Sequence, residues 1–390
     1  MTNFDFFIDG SIILTYLCLI LFTGVWVKKY ISNVDHFLVA NRGVNVYLGI
    51  ASLAATEFGI ATCMANAELG FKYGLKGIIP GIALGGSMLV VGASGFCIKP
   101  LRNMAVITIP ELLEKKFGKN IRWASGLVIV IGGLLNMGLF LRQAGSFLSI
   151  TIGINPVHLE FLMTLILIFV GLYTVIGGMV SVIITDYIQF ILMCFGFVTI
   201  TGILIYQFGW FHILEHSSNY LGPESLNLNV NSNYGLDRLV LDILVAFGSV
   251  LTWQTMISRV LAAKDSNTAK KIYMATSPYM LMRFVIPVFL GISALYYFGP
   301  DTYVGGEEIL AMPNMIAQLI PVGLIGIVIA SMLAADMSTN SSYLIAWSSV
   351  IYNDILEPIH KNKWSNKKGL FYNRILVCCI GLFLLLYGLW

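Results

Sequence analysis

The stretch Ala334-Ala-Asp-Met-Ser-Thr-Asn-Ser-Ser342 lies near the centre of a long apolar run, residues 313–352. A helix turns by about 100° per residue, which places four of these residues on one face: Ala335, Ser338, Thr339 and Ser342. Hydroxyl and freed carbonyl oxygens are hard ligands that suit hard cations, whereas zinc or copper would favour His or Cys. Hydrogen bonding between packed helices is the other common use of such hydroxyls, and the spacing alone leaves both possibilities open.

The composition of the whole chain explains why these hydroxyls are unusual. Hydrophobic residues make up 57% of the 390 residues and charged residues only 11%, with a mean hydropathy of +0.83, whereas an ordinary globular domain is about 25% charged. So few charges cannot cover a soluble surface, and the chain is therefore predicted to be an integral membrane protein. A soluble enzyme, a disulfide scaffold and a nucleic-acid binder are excluded, and the six cysteines lie in apolar runs typical of free thiols.

Apolar runs of about 20 residues are needed to span a bilayer, and the sequence contains ten of them. Their approximate limits are 9–28, 45–68, 77–99, 121–150, 157–176, 182–209, 237–261, 272–298, 313–352 and 370–390. The first run lacks the basic start and cleavage site of a signal peptide, so it is predicted to be a retained helix.

Lys and Arg residues predict the orientation, because basic residues concentrate in cytoplasmic segments. Most of the 23 basic residues fall in segments that share one side if the N-terminus lies outside: 28–42, 99–122, 259–271 and 361–374. The opposite side keeps only Lys72, Lys76 and Arg238. Segment 108–120 is predicted to be a basic helix on the inner membrane surface.

The outer segment 210–236 is predicted to be a long loop. It contains His212-Ile-Leu-Glu215-His216, which matches a zinc-peptidase pattern. No third ligand accompanies it, so the exposed-loop interpretation is preferred over an enzyme.

A charged residue inside a membrane span costs free energy, so it usually marks a functional site or an ion pair between helices. The sequence leaves both interpretations open for the charged residues found here. They are Glu57, Arg142, Asp186, Arg283 and Asp336. The second span also carries Thr, Glu and Gly at mid-depth in residues 54–62, which predicts a break that lines a cavity. The counterpart in the other half of the chain is Phe247-Gly-Ser249.

Five motifs together resemble the sodium:solute symporter family, which includes sodium/proline, sodium/sugar and sodium/sialic acid transporters. They are Phe37-Leu-Val-Ala-Asn-Arg42, Thr108-Ile-Pro-Glu111, Gly177-Gly-Met-Val-Ser-Val-Ile-Ile-Thr-Asp-Tyr-Ile-Gln189, Ser258-Arg-Val-Leu-Ala-Ala-Lys264 and the serine-rich stretch. The resemblance runs from about His36 to Glu357 without large gaps.

The resemblance implies an all-α membrane protein of about ten transmembrane helices with a LeuT-type fold of two inverted repeats. An extra N-terminal helix would occupy residues 1–36, the first repeat 44–209, and an incomplete second repeat 237–390, with the last core helix missing. The chain would then be either a fragment of a symporter or a shortened member of the family.

The family also implies a sodium site. When the family's motif is matched to this sequence, the site would use the carbonyls of Ala55, Phe58 and Ala335 and the hydroxyls of Ser338 and Thr339. Some members bind a second sodium, for which the matching residues here are Asp186, Ser341 and Ser342.

The solute pocket is expected between the two helix breaks, at mid-depth in the membrane. Candidate residues are Thr56, Glu57, Thr62, Pro80, Gly81 and Ser249, with Arg142 and Arg283 as possible partners of a carboxylate. Positions that hold sugar-binding groups in the sugar transporters differ here, so a carboxylate-bearing or zwitterionic solute is favoured over a sugar.

The predicted function is sodium-driven import of a small organic solute by alternating access, with Na⁺ as the coupling ion and no organic cofactor. The predicted location is the plasma membrane, most simply a bacterial inner membrane, with the N-terminus outside and no nucleic-acid partner. The alternatives are a non-transporting membrane sensor or scaffold on the same fold, or a truncated, inactive fragment. Sensor members carry long cytosolic domains, which this sequence does not show.

Overall fold

The computed structural model describes residues 2–229, 234–359 and 364–389, and most residues in these ranges are helical. An isolated β-bridge joins Val44 and Ala263. Part of the predicted loop 210–236, part of the basic segment 361–374, and Trp390 lie outside the described residues.

The described residues of the first half of the chain form nine α-helices. They are α1 (Ile8–Val27), α2 (Val34–Val39), α3 (Val46–Thr56), α4 (Ile60–Tyr73), α5 (Ile79–Ser94), α6 (Ile98–Asn103), α7 (Ile109–Phe117), α8 (Lys119–Ile152) and α9 (Leu159–Phe208). The second half continues with α10 (Trp210–Leu221), α11 (Leu236–Thr252), α12 (Gln254–Ala262), α13 (Ser266–Phe298), α14 (Ala311–Leu319), α15 (Leu324–Val350), α16 (Glu357–Ile359) and α17 (Asn366–Leu389). A π-helical turn, Ile351–Leu356, joins α15 to α16.

Seven helices of the described chain are long and apolar enough to cross a membrane, or up to eight if the bent pair α11 and α12 forms one span. The number is smaller than the ten predicted spans because neighbouring spans join into continuous helices. Helix α9 has 50 residues and would measure about 75 Å if straight, more than twice the roughly 30 Å of a hydrocarbon core. It therefore contains two of the predicted spans, 157–176 and 182–209.

Helix α9 changes direction at Gly178, which has φ 50° and ψ −149°. This region of conformational space is open to glycine and strongly disfavoured for other residues. An ideal Cβ on Gly178 would also lie 2.5 Å from Cδ2 of Phe37 and 2.6 Å from its carbonyl oxygen. The break and the packing of α2 against α9 thus depend on the same glycine.

Replacing Gly178 with alanine is expected to destabilise the protein by roughly 1–3 kcal/mol from backbone strain, with the Phe37 clash added. The melting temperature in detergent should fall. Gly202→Ala is the matched control, because Gly202 lies in the same helix with nothing within 4 Å of its ideal Cβ. Equal melting temperatures for the two variants would contradict the assigned role of Gly178.

Helix α15, which carries the serine-rich stretch, is the most enclosed helix of the described chain, with 89% of its apolar window buried. Small residues bring its neighbours close, as expected for helix packing in membranes. An ideal Cβ on Gly196 of α9 would lie only 1.7 Å from Oγ of Ser331. The Tyr173 hydroxyl donates to the Met337 carbonyl at 3.0 Å, so α9 is also hydrogen-bonded to the centre of α15.

The N-terminal helix α1 caps the start of α15. The buried Asp9 accepts hydrogen bonds through Oδ1 from the backbone N–H groups of Gly323 at 2.7 Å and Gly326 at 2.9 Å. These are the donors that a helix start leaves unpaired, and a carboxylate also suits the positive end of the helix dipole. The extra helix of the sequence-based interpretation is therefore bonded to α15.

Two helices are broken near mid-depth. Glu57, Phe58 and Gly59 separate α3 from α4, as the sequence predicts. The second break lies at Trp253, where α11 and α12 bend by 41°. The prediction of a break at Phe247-Gly-Ser249 is therefore wrong by several residues, because α11 continues through Gly248 to Thr252.

Outside the spans, two predicted segments have different outcomes. Helix α7 begins with a capping box, in which Thr108 Oγ1 accepts from the Glu111 N–H and Glu111 accepts from the Ile107 N–H; the predicted basic helix is confirmed. The predicted loop at 210–236 is wrong in its first part, which forms helix α10.

Another cap precedes α13, where the Thr268 backbone N–H holds the pKa of the Asp265 carboxyl below its usual range.

Candidate functional site

A cavity of about 280 Å³ lies between the two broken helices and α15. The predicted residues that line it are Thr56, Glu57, Thr62, Ser249 and Arg283, together with the predicted cation ligand Thr339. The residues that complete the wall are Leu84, Asn136, Phe140, Trp253, Met256 and Tyr343.

Three predicted pocket residues do not line this cavity. Arg142 is exposed on α8. Pro80 lies in the first turn of α5, where it suits a helix start. Gly81 packs against Phe284, whose Cβ would lie 2.7 Å from a Cβ on Gly81. Hydropathy marks a polar or small residue in a span without showing which way the helix turns it. The structure therefore does not bring these three residues to the cavity, and their role stays a prediction.

An aromatic group forms one wall of the cavity and was missed from the sequence. The ring centroids of Trp253 and Tyr343 are 5.8 Å apart, and those of Phe140 and Tyr343 are 5.9 Å apart. Trp253 also lies edge-on to Trp347 at 5.6 Å. Aromatic residues are common throughout membrane spans, and only the break at Trp253 would have indicated its special position.

Opposite charges face each other in the cavity wall. Arg283 Nη1 lies 3.7 Å from Glu57 Oε2, and the two side chains are 13% and 5% exposed. The Thr255 hydroxyl donates to the other carboxylate oxygen of Glu57 at 2.7 Å, whereas Nε of Arg283 has no hydrogen-bond partner in the described chain. The contact is long for an ion pair, and both groups border the cavity, so each can also meet a bound molecule.

The break between α3 and α4 lies directly against α15. The Thr339 hydroxyl donates to the Thr56 carbonyl at 2.9 Å and to the Ala335 carbonyl at 3.0 Å. An ideal Cβ on Gly59 would be only 3.1 Å from Thr339 Oγ1, so glycine permits this approach.

The other predicted cation ligands surround the same contact. The Ala55 carbonyl accepts only a long 3.4 Å hydrogen bond from the Phe58 N–H across the break, besides the cap contact of Glu57. The Ser338 hydroxyl is buried and has no hydrogen-bond partner in the described chain. Hard oxygen atoms with spare capacity are what a sodium ion requires, so these residues fit the ion.

Asp186 is buried beside Arg259. Arg259 Nη2 lies 3.2 Å from Asp186 Oδ2, and both side chains are 0% exposed. The Ser52 hydroxyl donates to the same carboxylate oxygen at 2.5 Å. Of the two uses left open for the charged residues of the spans, Asp186 therefore forms an ion pair between helices, and its partner is Arg259.

The sequence places Arg259 among the basic residues of a membrane-surface segment, but its side chain is buried. Its guanidinium donates to Thr56 Oγ1 at 2.6 Å and to Ser342 Oγ. Two features of the sequence could have indicated that Arg259 has a special position. It follows the second helix break, and it lies within the motif Ser258–Lys264.

The remaining predicted residues of α15 bond locally. The Ser341 hydroxyl donates to the Ser338 carbonyl at 3.0 Å. Asp336 accepts from the side-chain amide of Asn340 at 2.7 Å. Oδ1 of Asp186 has no hydrogen-bond partner among the described residues.

The histidines of the zinc-peptidase pattern lie far along the chain from this site, on helix α10. The rings of His212 and His216 both pack against Tyr296, at 5.6 Å and 5.3 Å. Within the described ranges no three His, Cys, Asp or Glu side chains are grouped to hold a metal.

Comparisons with known proteins find relatives that match nearly the whole of this chain. It is 26% identical to the sodium/glucose cotransporter 1 of Oryctolagus cuniculus over 94% of this chain and 61% of the relative. It is 26% identical to the high-affinity choline transporter 1 of Drosophila melanogaster over 97% of this chain and 63% of the relative. The chain thus spans less than two thirds of the length of these relatives.

A solved structure shares the fold. A Na⁺-coupled sialic acid symporter, in a substrate-bound outward-open state, aligns with a TM-score of 0.88 at 21% identity, over 99% of this chain and 83% of that one. This confirms the predicted all-helical, LeuT-type fold. The profile of the sodium:solute symporter family (SSF) matches residues 37–389. The chain is a multi-pass membrane protein that belongs to the sodium:solute symporter family.

Proposed function

We propose that the protein moves a small organic solute across the membrane together with Na⁺, by alternating access. The observation that carries this proposal is that Thr56 and Thr339 belong both to the cavity and to the predicted cation site. Both line the cavity, and both belong to the contact between the helix break and α15 at which the cation is predicted. An ion bound there would organise the cavity wall, and the affinities for ion and solute would be reciprocally coupled.

The principal sodium would be held by the carbonyls of Ala55, Phe58 and Ala335 and by the hydroxyls of Ser338 and Thr339. The Ser338 hydroxyl is buried and has no hydrogen-bond partner among the described residues. This supports the assignment, because leaving a buried polar group unsatisfied is costly. A bound cation would accept its lone pairs. The second sodium at Asp186, Ser341 and Ser342 stays a prediction. It is supported by Oδ1 of Asp186, which lacks a hydrogen-bond partner in the part of the chain that the structure describes, and opposed by the contacts of Arg259.

The solute is proposed to be zwitterionic or to bear a carboxylate. Relatives are named for glucose, choline and sialic acid, so their names do not agree on the charge of the solute. In this chain Glu57 and Arg283 offer one charge of each sign to the cavity at a separation of 3.7 Å. A zwitterion can satisfy both, whereas a neutral sugar would leave the pair as it is.

The orientation and the repeat limits are part of the same proposal. The N-terminus would lie outside a bacterial plasma membrane and the solute would move inward. The division into an extra helix (1–36), a first repeat (44–209) and an incomplete second repeat (237–390) is supported by one break in each repeat, after α3 and after α11. Transport is preferred over catalysis because the family is one of symporters.

Thermal unfolding of the purified chain in detergent tests the linkage between ion and solute, since a ligand of the folded state raises its stability. Sodium should raise the melting temperature above that in potassium. An amino acid or another zwitterion should raise it further in sodium and much less in potassium, while neutral sugars should have little effect. Identical melting temperatures in the two salts, with and without solutes, would contradict the proposal.

A further inference from the structure

Helix α13 contains two prolines, Pro278 and Pro287. A proline inside a helix has no N–H to donate, so the carbonyl four residues earlier loses its hydrogen bond within the helix. The two carbonyls concerned are those of Met274 and Arg283. Within a membrane a freed carbonyl must find another donor, which a neighbouring helix or a Ser or Thr side chain can supply. One of the freed carbonyls therefore belongs to the arginine of the cavity wall.

The two freed carbonyls accept from different donors. The Met274 carbonyl accepts from the Ser277 hydroxyl of the same helix at 2.9 Å. The Arg283 carbonyl accepts at 2.9 Å from the side-chain amide of Asn66, which belongs to α4. Asn66 is 5% exposed and is not among the residues that line the cavity. The backbone of the cavity arginine is thus held from a second helix, whereas the other freed carbonyl is paired within α13.

Glycines bring α4 close enough to α13 for this hydrogen bond. An ideal Cβ on Gly70 would lie 2.1 Å from the carbonyl oxygen of Val288, and one on Gly291 would lie 1.8 Å from the carbonyl oxygen of Ala67. Small residues at a contact between membrane helices allow such a close approach of the backbones. Because neither position can carry a Cβ unless the facing backbone moves, the spacing of the two helices is fixed beside the amide.

The guanidinium of Arg283 makes only long polar contacts with the described residues. Its Nη1 lies 3.7 Å from Glu57 Oε2 and 3.7 Å from Met280 Sδ, whereas a strong charge-assisted hydrogen bond is shorter. Its Nε has no hydrogen-bond partner in the described ranges. The direction of this side chain therefore depends on the backbone from which it starts, and the amide of Asn66 holds that backbone.

We infer that Asn66 is a positioning residue for solute binding. By pairing the carbonyl that Pro287 leaves free, its amide directs Arg283 into the cavity and sets the preference of the site for a carboxylate. This inference rests on the proposed function and names the residue on which its solute selectivity depends. Asn66 acts on the solute through the backbone of α13, so its loss should weaken solute binding and leave the proposed sodium site unchanged.

Asn66→Leu in the purified chain tests the inference, because leucine keeps the branched shape of asparagine but cannot donate. The probe is the standard amino acid that most raises the melting temperature of the wild-type protein in sodium. Isothermal titration in saturating sodium should show an affinity weaker by about threefold to tenfold, less than in Arg283→Met, since the guanidinium is still present. The sodium concentration for half-maximal stabilisation, without amino acid, should not change. Ser277→Ala, which frees the Met274 carbonyl, is the matched control and should alter neither quantity.

Two backgrounds test the cause of the effect. Pro287→Ala restores an N–H that can donate to the Arg283 carbonyl within α13, so Asn66→Leu should no longer weaken binding of the amino acid in this background. In the Arg283→Met background Asn66→Leu should also have no further effect, because the group that it positions is gone.

An unchanged amino-acid affinity in Asn66→Leu would overturn the inference, and so would an equal loss of affinity in either background. If Asn66→Leu does not fold, Asn66→Ser replaces it in every comparison, because the serine hydroxyl is too short to span the same distance.

A wild-type protein that no standard amino acid stabilises in sodium would instead contradict the proposed function, and with it the selectivity assigned to Asn66. The melting temperatures of the same variants test the contact without any solute. Asn66→Leu should lower the melting temperature of the wild-type protein and lower that of Pro287→Ala much less. The two failures are therefore distinguishable.

Discussion

Alanine at both Ser338 and Thr339 is expected to raise the sodium concentration for half-maximal stabilisation by at least about tenfold. Interactions of a polar group with a charged partner contribute roughly 1.5–3 kcal/mol each, and about 1.4 kcal/mol corresponds to a factor of ten in affinity. The double variant removes the Ser338 hydroxyl, which no described residue pairs with, and the Thr339 hydroxyl, which joins α15 to the break at Thr56. Sodium titration of the melting temperature measures the change, and solute binding should weaken with it.

The matched control is the double variant of Ser348 and Ser349, also to alanine. These hydroxyls are buried on the same helix and donate to carbonyls three residues earlier, at 3.0 Å and 2.7 Å, but they do not line the cavity. Their loss should leave the sodium dependence unchanged. If the Ser338 and Thr339 variant behaves like this control, the sodium site is not at these residues.

Glu57→Gln and Arg283→Met are each expected to reduce the affinity for a zwitterionic solute by about tenfold or more, since a hydrogen bond to a charged group contributes roughly 1.5–3 kcal/mol. Each variant also leaves the opposite charge in a nearly buried position, which lowers stability. Isothermal titration in sodium measures the solute affinity, and thermal unfolding measures the stability separately. A purely structural pair would lower only the melting temperature.

Glu68→Gln provides the control for this pair. Glu68 accepts from Lys72 at 2.5 Å within one helix, but both side chains are partly exposed, at 24% and 33%, and such pairs contribute little. Neither stability nor solute affinity should change appreciably. If Glu57→Gln matches this control in both measurements, the solute site must lie elsewhere.

The membrane class and most helices followed from the sequence because a bilayer leaves few ways to satisfy a backbone. Hydropathy could not show where one helix ends and the next begins. It separated residues 157–176 from 182–209, although α9 runs through both and bends at Gly178. It also placed the second break at glycine, the usual signal, whereas helix α11 continues past Gly248 and ends before Trp253.

The candidate site was predictable where chemistry and a helix break coincide, as at Thr56, Glu57 and Thr339. The position of a charged side chain could not be predicted where it depends on the rotation of a helix about its own axis or on the depth of the residue in the membrane. Arg142 and Arg283 look alike in sequence, yet only Arg283 reaches the cavity. Arg259 adjoins a basic segment and was assigned to the membrane surface, but its buried partners lie on three other helices.

Uptake into proteoliposomes tests the central claim most directly, because it asks whether a sodium gradient drives solute movement through this chain. A labelled zwitterionic solute that stabilises the protein in sodium serves as the probe. With sodium outside and potassium inside, the solute should accumulate above its external concentration, and the accumulation should disappear when sodium is equal on both sides. Equal uptake with and without the gradient, by vesicles that contain folded protein, would contradict sodium-coupled transport.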